Sequence, residues 1–212
     1  MSTVAVIDYG MGNLHSVSKA LEHADAKTTV VVSSDADTIL KADRVVLPGV
    51  GAIRDCINEL KKTRLDQVIM ECAKTKPFLG VCVGMQALME SSEENNGTAC
   101  LGIFPGQVKL FPNDMKNNGD ILKVPHMGWN QVHQTSQHAL WKNIKQDSRF
   151  YFVHSYYVEI NEQNDMPATT DYGIKFTSAI ARENIFAVQF HPEKSQHDGL
   201  QLYANFLQWD GQ

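Results

Sequence analysis

The stretch PFLGVCVGMQALME, residues 77–90, decides the fold. A short apolar run, Phe78 to Cys82, passes directly into a run with helical spacing, and the junction reads Gly80-Val81-Cys82-Val83-Gly84. A strand turning sharply into a helix, with a nucleophile between two glycines, has the form of a nucleophile elbow. At such a turn the residues two before and two after the nucleophile pass close to each other and to neighbouring strands, so a Cβ at either place would clash. The thiol is left facing outward at the carboxyl end of the strand, above a helix N-terminus whose dipole favours a thiolate. Taken alone, Gly-x-Cys-x-Gly is equally the pattern of a packed cysteine.

Outward from this junction, the first half alternates short β-rich runs with helix-period runs, the βαβ signature of a parallel sheet. Strands are predicted at 3–8, 28–33, 43–49 and 78–82, and helices at 13–24, 35–41 and from 84 to 91, with Cys72 in another helical run, LDQVIMECAK. The second half changes character. LGIFPGQVKLF, ILKVPHMGWNQVH, RFYFVHSYYVEI, KFTSAIARE and IFAVQF are strand-like with few helices between them, so mixed strands are expected along one edge of the parallel core. DGLQLYANFLQW, residues 198–209, is predicted to close the fold as a helix capped by Asp198. SSEENNGT and PNDMKNNGD read as loops. The expected class is α/β, a mostly parallel central sheet flanked by helices with additional antiparallel strands, in one domain over residues 1–212.

Composition narrows the function classes. With 212 residues, 43% hydrophobic, 20% charged and a net charge of −5, the chain resembles an ordinary globular protein and is not basic enough to suggest nucleic acid. No apolar stretch approaches the roughly 20 residues that span a bilayer, and MSTVAVIDYG lacks the pattern of a signal peptide, so a cytoplasmic location is expected. Cys56, Cys72 and Cys100 read as packed, reduced thiols. His15, His23, His133, His138 and His197 read as solvated, and no metal-ligand spacing or cofactor motif is found. Gly-Met-Gly-Asn-Leu-His at 10–15 fails the dinucleotide pattern because His15 stands at its third glycine.

A nucleophilic thiol needs a base and an orienting group. FAVQFHPEKS ends a strand in His191-Pro192-Glu193. Proline holds the preceding residue extended, and side chains two apart in extended chain point the same way, so Glu193 is expected to reach the His191 imidazole. Glu193 on Nδ1 would leave Nε2 to take the proton from Cys82, completing a triad. A tetrahedral oxyanion also needs backbone N–H donors. Val83, after the nucleophile, is one candidate, and LPGVGA, with Gly49 and Gly51 around Val50 at a strand end, offers another.

LPGVGA, GVCVGMQ, VPHMGWN, YFVHSYYV and QFHPEKS occur in the order and approximate spacing of the class I glutamine amidotransferases, whose fold is flavodoxin-like. The resemblance runs from IDYGMGNL to the last strand, and DYGMGNL and PHMGWN make it nearest to the glutaminase subunits of imidazole glycerol phosphate synthases. It implies that Cys82 attacks the carboxamide of L-glutamine, with His191 as base and then acid, and that a glutamyl thioester is hydrolysed to glutamate. Gln86, Glu94 and the backbone of Ser155 and Tyr156 would hold the amino acid end. Gly49, Val50 and Gly51 would form the oxyanion strand. Val83 and Ile53 depart from the leucine and phenylalanine common there, without removing a reacting group. The implied partner is a (βα)8-barrel cyclase that receives the ammonia, with Asn13, Met127 and Trp129 as interface candidates; neither a cofactor nor a metal is implied. Residues alone leave open a cysteine hydrolase of the same elbow type, or a glutaminase serving another synthase.

Overall fold

Strand β1 (Thr3–Ile7) begins a doubly wound series in the computed structural model, which describes residues 2–117, 119–160 and 165–212. The chain continues through α1 (Leu14–Ala24), β2 (Thr29–Ser33), α2 (Ala36–Lys41), β3 (Arg44–Gly49), α3 (Ile53–Lys62), α4 (Leu65–Thr75), β4 (Phe78–Cys82) and a single turn, α5 (Val83–Gln86). Short β5 (Ser91–Ser92) and β6 (Thr98–Ala99) precede β7 (Gly106–Leu110), and β8 (Lys116–Asn117) pairs with β9 (Asp120–Ile121). Then follow β10 (His126–Gln131), β11 (His133–Gln134), β12 (Arg149–His154), β13 (Tyr156–Ile160), β14 (Ala168–Asp171), β15 (Lys175–Arg182), β16 (Ile185–Val188) and α6 (Gln196–Gln208).

Among the described residues the main sheet runs in the order β2-β1-β3-β4-β16-β15-β13-β7-β5-β6, with β14 on β15 and β11 on β14. Pairings from β2 through β16 are parallel; β15, β13 and β7 extend the sheet antiparallel beyond β16. The α/β class expected from the sequence is therefore the one observed. The β1-α1-β2 crossover moves toward one edge and the next two move the other way, so right-handed connections place α1 on one face and α2, α3 and α4 on the other. α6 packs against α1, and α4 against α2 and α3, as that rule requires. Strands covered on both sides must be apolar throughout. β4 accordingly is buried at every residue, FLGVC, and β1 at four of five.

Capping sets several boundaries. Asn13 accepts from Ser16 N–H at the start of α1, and Asp35 accepts from Thr38 N–H at 2.8 Å at the start of α2. Two expectations are corrected at helix ends. The helix expected over 84–91 stops after one turn, because the carbonyls of Ala87, Leu88 and Met89 accept instead from the backbone N–H groups of Leu101, Ile103, Phe104 and Gly102. α6 begins at Gln196 after Ser195, which puts Asp198 inside its first turn and not at the cap. The predicted loops also contain short pairings, β5 with β6 and β8 with β9; Asn118 of PNDMKNNGD lies outside the described residues. Among the described residues no helix is long and apolar enough to cross a membrane.

Candidate active site

The carboxyl ends of β3, β4 and β16 meet at one place, because Gly49 is in register with Cys82 and Val188 with Val81. Ligand sites in open α/β sheets form at these strand ends. Cys82 has φ 56° and ψ −112°, a left-handed conformation that a side-chain-bearing residue adopts only when its surroundings hold it there. The surroundings are the two glycines. A Cβ on Gly80 would lie 2.9 Å from Ala187 Cβ and 3.1 Å from the Gly84 carbonyl, and one on Gly84 would lie 2.0 Å from the Leu47 carbonyl oxygen. α5 is too short to carry a substantial macrodipole; what it offers the thiol is the unpaired N–H groups of one turn.

His191 Nδ1 lies 2.8 Å from Glu193 Oε1, with the two side chains 3% and 1% exposed. The pairing arises differently from the sequence argument: His191 is extended, but Pro192–Lys194 form a 3₁₀ turn that swings Glu193 back under the ring. The histidine backbone is locked to β12, since its N–H donates to Tyr151 O at 2.9 Å and its carbonyl accepts from Ser195 Oγ, which accepts in turn from Tyr151 N–H. The Tyr203 hydroxyl donates to Glu193 Oε2 at 3.4 Å. His191 Nε2 has no hydrogen-bond partner among the described residues. Burial alone would push this imidazole down; the negative charges available on Cys82 and Glu193 outweigh burial and hold it above the ordinary histidine range.

Cys82 and His191 line a cavity of about 440 Å³ together with Val50, Gly51, Val83, Gln86, Glu94, Pro125, Val153, His154, Ser155, Tyr156 and Lys194. A hollow of about 510 Å³ beside Trp141 is larger; His138 lines it with Thr135 and Ser136, but His138 Nδ1 is taken by the Leu140 N–H and, among the described residues, no hydrogen bond joins that imidazole to either hydroxyl. Of the residues expected at the site, Gly49 ends β3 behind the cavity wall, and Glu193 lies behind His191; the other catalytic, oxyanion and substrate candidates reach the cavity. One oxygen of Glu94 accepts the Ile53 N–H at 2.9 Å, where α3 lacks a cap of its own. The strand end at 49–51 is tethered from behind. Tyr9 donates to Pro48 O at 2.9 Å, and Cys56 donates to Val50 O at 3.6 Å. Burial pushes the Cys56 thiol up to about 11, so it keeps the proton it donates.

The interface candidates sit elsewhere. Met127 and Trp129 are 61% and 39% exposed on β10, which pairs antiparallel with β12, and Asn13 caps α1. Inward from them lies a histidine pair that the motifs did not single out. His154 Nδ1 is 2.7 Å from Tyr156 O and must donate to it; His154 Nε2 therefore accepts from His126 Nδ1 at 3.0 Å, and His126 Nε2 accepts from Asn130 Nδ2 at 3.2 Å. Burial pushes His154 down to about 3 and His126 to about 4, so both are neutral near pH 7. His138, expected to be solvated, is half-buried against Phe186 and Trp209 and accepts from Leu140 N–H; burial lowers it to about 4. The buried amide of Gln189 was also missed; a glutamine within the apolar run IFAVQF was its signal.

A thiol, an imidazole with its own carboxylate, and backbone donors around one cavity are equipped for acyl transfer. The chain belongs to the glutamine amidotransferase class-I family, whose model matches residues 5–209. Within that family it is 58% identical over 211 residues to imidazole glycerol phosphate synthase subunit HisH 1 of Pseudomonas aeruginosa, covering 100% of this chain and 99% of that one. It is 60% identical over 211 residues, with the same coverage, to imidazole glycerol phosphate synthase subunit HisH of Nitrosococcus oceani. A chain in the structure of PurLQS from Thermotoga maritima superposes with a TM-score of 0.71 over 98% of both chains at 15% identity, a likeness of fold alone.

Proposed function

We propose that this chain is the glutaminase subunit of an imidazole glycerol phosphate synthase, hydrolysing L-glutamine to L-glutamate and ammonia and passing the ammonia to a (βα)8-barrel cyclase in the cytoplasm. The observation that carries the reading is the strained Cys82 sharing a cavity with a histidine already paired to Glu193. The full-length likeness to HisH subunits selects the synthase.

In this reading Cys82 gives its proton to His191 Nε2 and its sulfur adds to the carboxamide carbon. The carbonyl oxygen becomes an oxyanion held by the Val83 N–H and a second N–H from Val50 or Gly51. His191 returns the proton to the leaving nitrogen, the C–N bond breaks, and ammonia departs, leaving a thioester on Cys82. Water, deprotonated by His191, then cleaves the thioester and releases glutamate. Glu193 orients the imidazole and stabilises its charged form. Gln86, Glu94 and the Ser155-Tyr156 backbone hold the substrate's amino acid end.

Ammonia released into water at neutral pH is protonated and lost as a nucleophile, so the product must pass into a covered partner. Met127 and Trp129 supply the kind of exposed aromatic and methionine surface that anchors interfaces, and Asn13 is assigned to the same contact. Replacement Cys82→Ala tests the division of labour. Glutamine-dependent synthesis in the reconstituted complex is expected to fall by about 10⁴- to 10⁶-fold while synthesis from added ammonia survives. Equal loss of both would refute it.

A further inference from the structure

Gln189 is fully buried two residues before His191, at the head of QFHPEKS, and has no part in the chemistry assigned above. Its Nε2 lies 3.7 Å from Cys82 Sγ, within hydrogen-bond range for sulfur, and its Oε1 lies 3.0 Å from Gln86 Nε2. The orientation of both amides follows from one backbone carbonyl. Tyr156 O can only accept, so the Gln86 group 3.1 Å from it is the NH₂. That same NH₂ then needs an acceptor at Gln189, which turns the Gln189 NH₂ toward the sulfur.

We propose that Gln189 is a positioning residue that donates to the Cys82 sulfur and fixes Gln86 as a pure acceptor toward substrate. Both Gln86 N–H groups are consumed, by Tyr156 O and by Gln189 Oε1, so only its carbonyl oxygen remains to meet a ligand. An exposed carbonyl oxygen selects an N–H donor, such as the ammonium group of an amino acid substrate, and rejects a carboxylate at that position. At the other end, an amide donor stabilises the thiolate without competing for its proton, whereas a carboxylate there would repel it. Four hydrogen-bonding groups, Tyr156 O, Gln86, Gln189 and Cys82 Sγ, thereby couple the binding subsite to the nucleophile. His154 holds the Tyr156 carbonyl from the opposite side.

The titratable groups around the sulfur and its cavity are Tyr9 after β1, Cys56 on α3, Glu94 after β5, His154 at the end of β12, Tyr156 at the start of β13, and His191 and Lys194 after β16. None of them is altered by Gln189→Met, which keeps the volume and removes both polar ends. The experiment is alkylation of Cys82 by iodoacetamide in the whole chain, followed by mass spectrometry of its peptide across pH. Loss of a hydrogen bond to a charged group predicts a midpoint about one pH unit higher in Gln189→Met. Gln86→Met, which frees the Gln189 amide to rotate, predicts a smaller rise in the midpoint, read as an about threefold slower alkylation at fixed pH below it. A role in packing alone would lower the melting temperature and leave the midpoint in place. Unmoved midpoints in whichever of the two variants fold would overturn the proposal. The role rests on Cys82 being the nucleophile of a glutaminase, and the two failures are separable, since alkylation reads the sulfur directly and glutamate release by the unaltered chain reads the substrate.

Discussion

The elbow at the end of β4 and the β10–β12 ribbon both border the cavity region, yet they are built in opposite ways. At the elbow every neighbour is in contact. Gly84 has no room for one more carbon, and Cys82 holds a left-handed backbone because the strands around it permit nothing else. On the ribbon, a Cβ on Gly128 would meet nothing within 4 Å, and Met127 and Trp129 on either side of it are turned to solvent. Packed strand ends fix reacting atoms in place; an open ribbon leaves apolar surface for another molecule to cover. In the proposed function, the difference separates chemistry from recognition within one chain.

That contrast can be broken by substitution. Gly84→Ala drives a Cβ into the Leu47 carbonyl and is expected to cost about 3 kcal/mol or more, measured by urea unfolding. Gly128→Ala meets only its positive φ of 135° and is expected to cost about 1 kcal/mol. Comparable losses at both sites would mean that the elbow is not the tighter of the two.

At the buried end of the ribbon His126 pairs with His154, and their burial sets a pH dependence. Their folded values lie below the unfolded value of roughly 6.5, so the unfolded chain binds more protons as pH falls below that point. The stability they contribute is present above about pH 6.5 and declines as pH falls toward 4, by up to ~1.4 kcal/mol per pH unit for each histidine. Urea midpoints between pH 7 and pH 5 should fall accordingly, with a shallower fall in His126→Phe; an identical slope in that variant would contradict the assignment. The smallest effect is expected at the ribbon surface. Trp129→Ala should alter the stability of the isolated chain by no more than about 0.5 kcal/mol, while weakening the response to the cyclase.

What the sequence made legible was local. Gly80-Val81-Cys82-Val83-Gly84 and His191-Pro192-Glu193 are short runs whose sterics and hydrogen bonding follow from adjacent residues, and the parallel half followed from its alternating pattern. What was hidden depends on distant partners. α5 ends early because residues 101–104 take the carbonyls of Ala87, Leu88 and Met89, and His138 is covered by Phe186 and Trp209 from remote segments. Gln189 acquires its meaning from Cys82 and Gln86, more than 100 positions away. Glu193 met its histidine through a 3₁₀ turn, where extended chain had been expected. The substrate and partner came from resemblance, because Gln86 and Glu94 read by themselves are an ordinary helix position and an ordinary loop charge.

The central claim is that this cavity hydrolyses glutamine on behalf of a partner seated over the open ribbon. Glutamate release from L-glutamine should be measured with the purified chain alone, and again with the barrel cyclase and the cyclase's nucleotide ligand. The account predicts slow release by the chain alone and strong stimulation in the complex, on the proposal that the peptide at 49–51 presents its N–H to the oxyanion only once the partner is seated. Full activity of the isolated chain, or no turnover in either state, would contradict it.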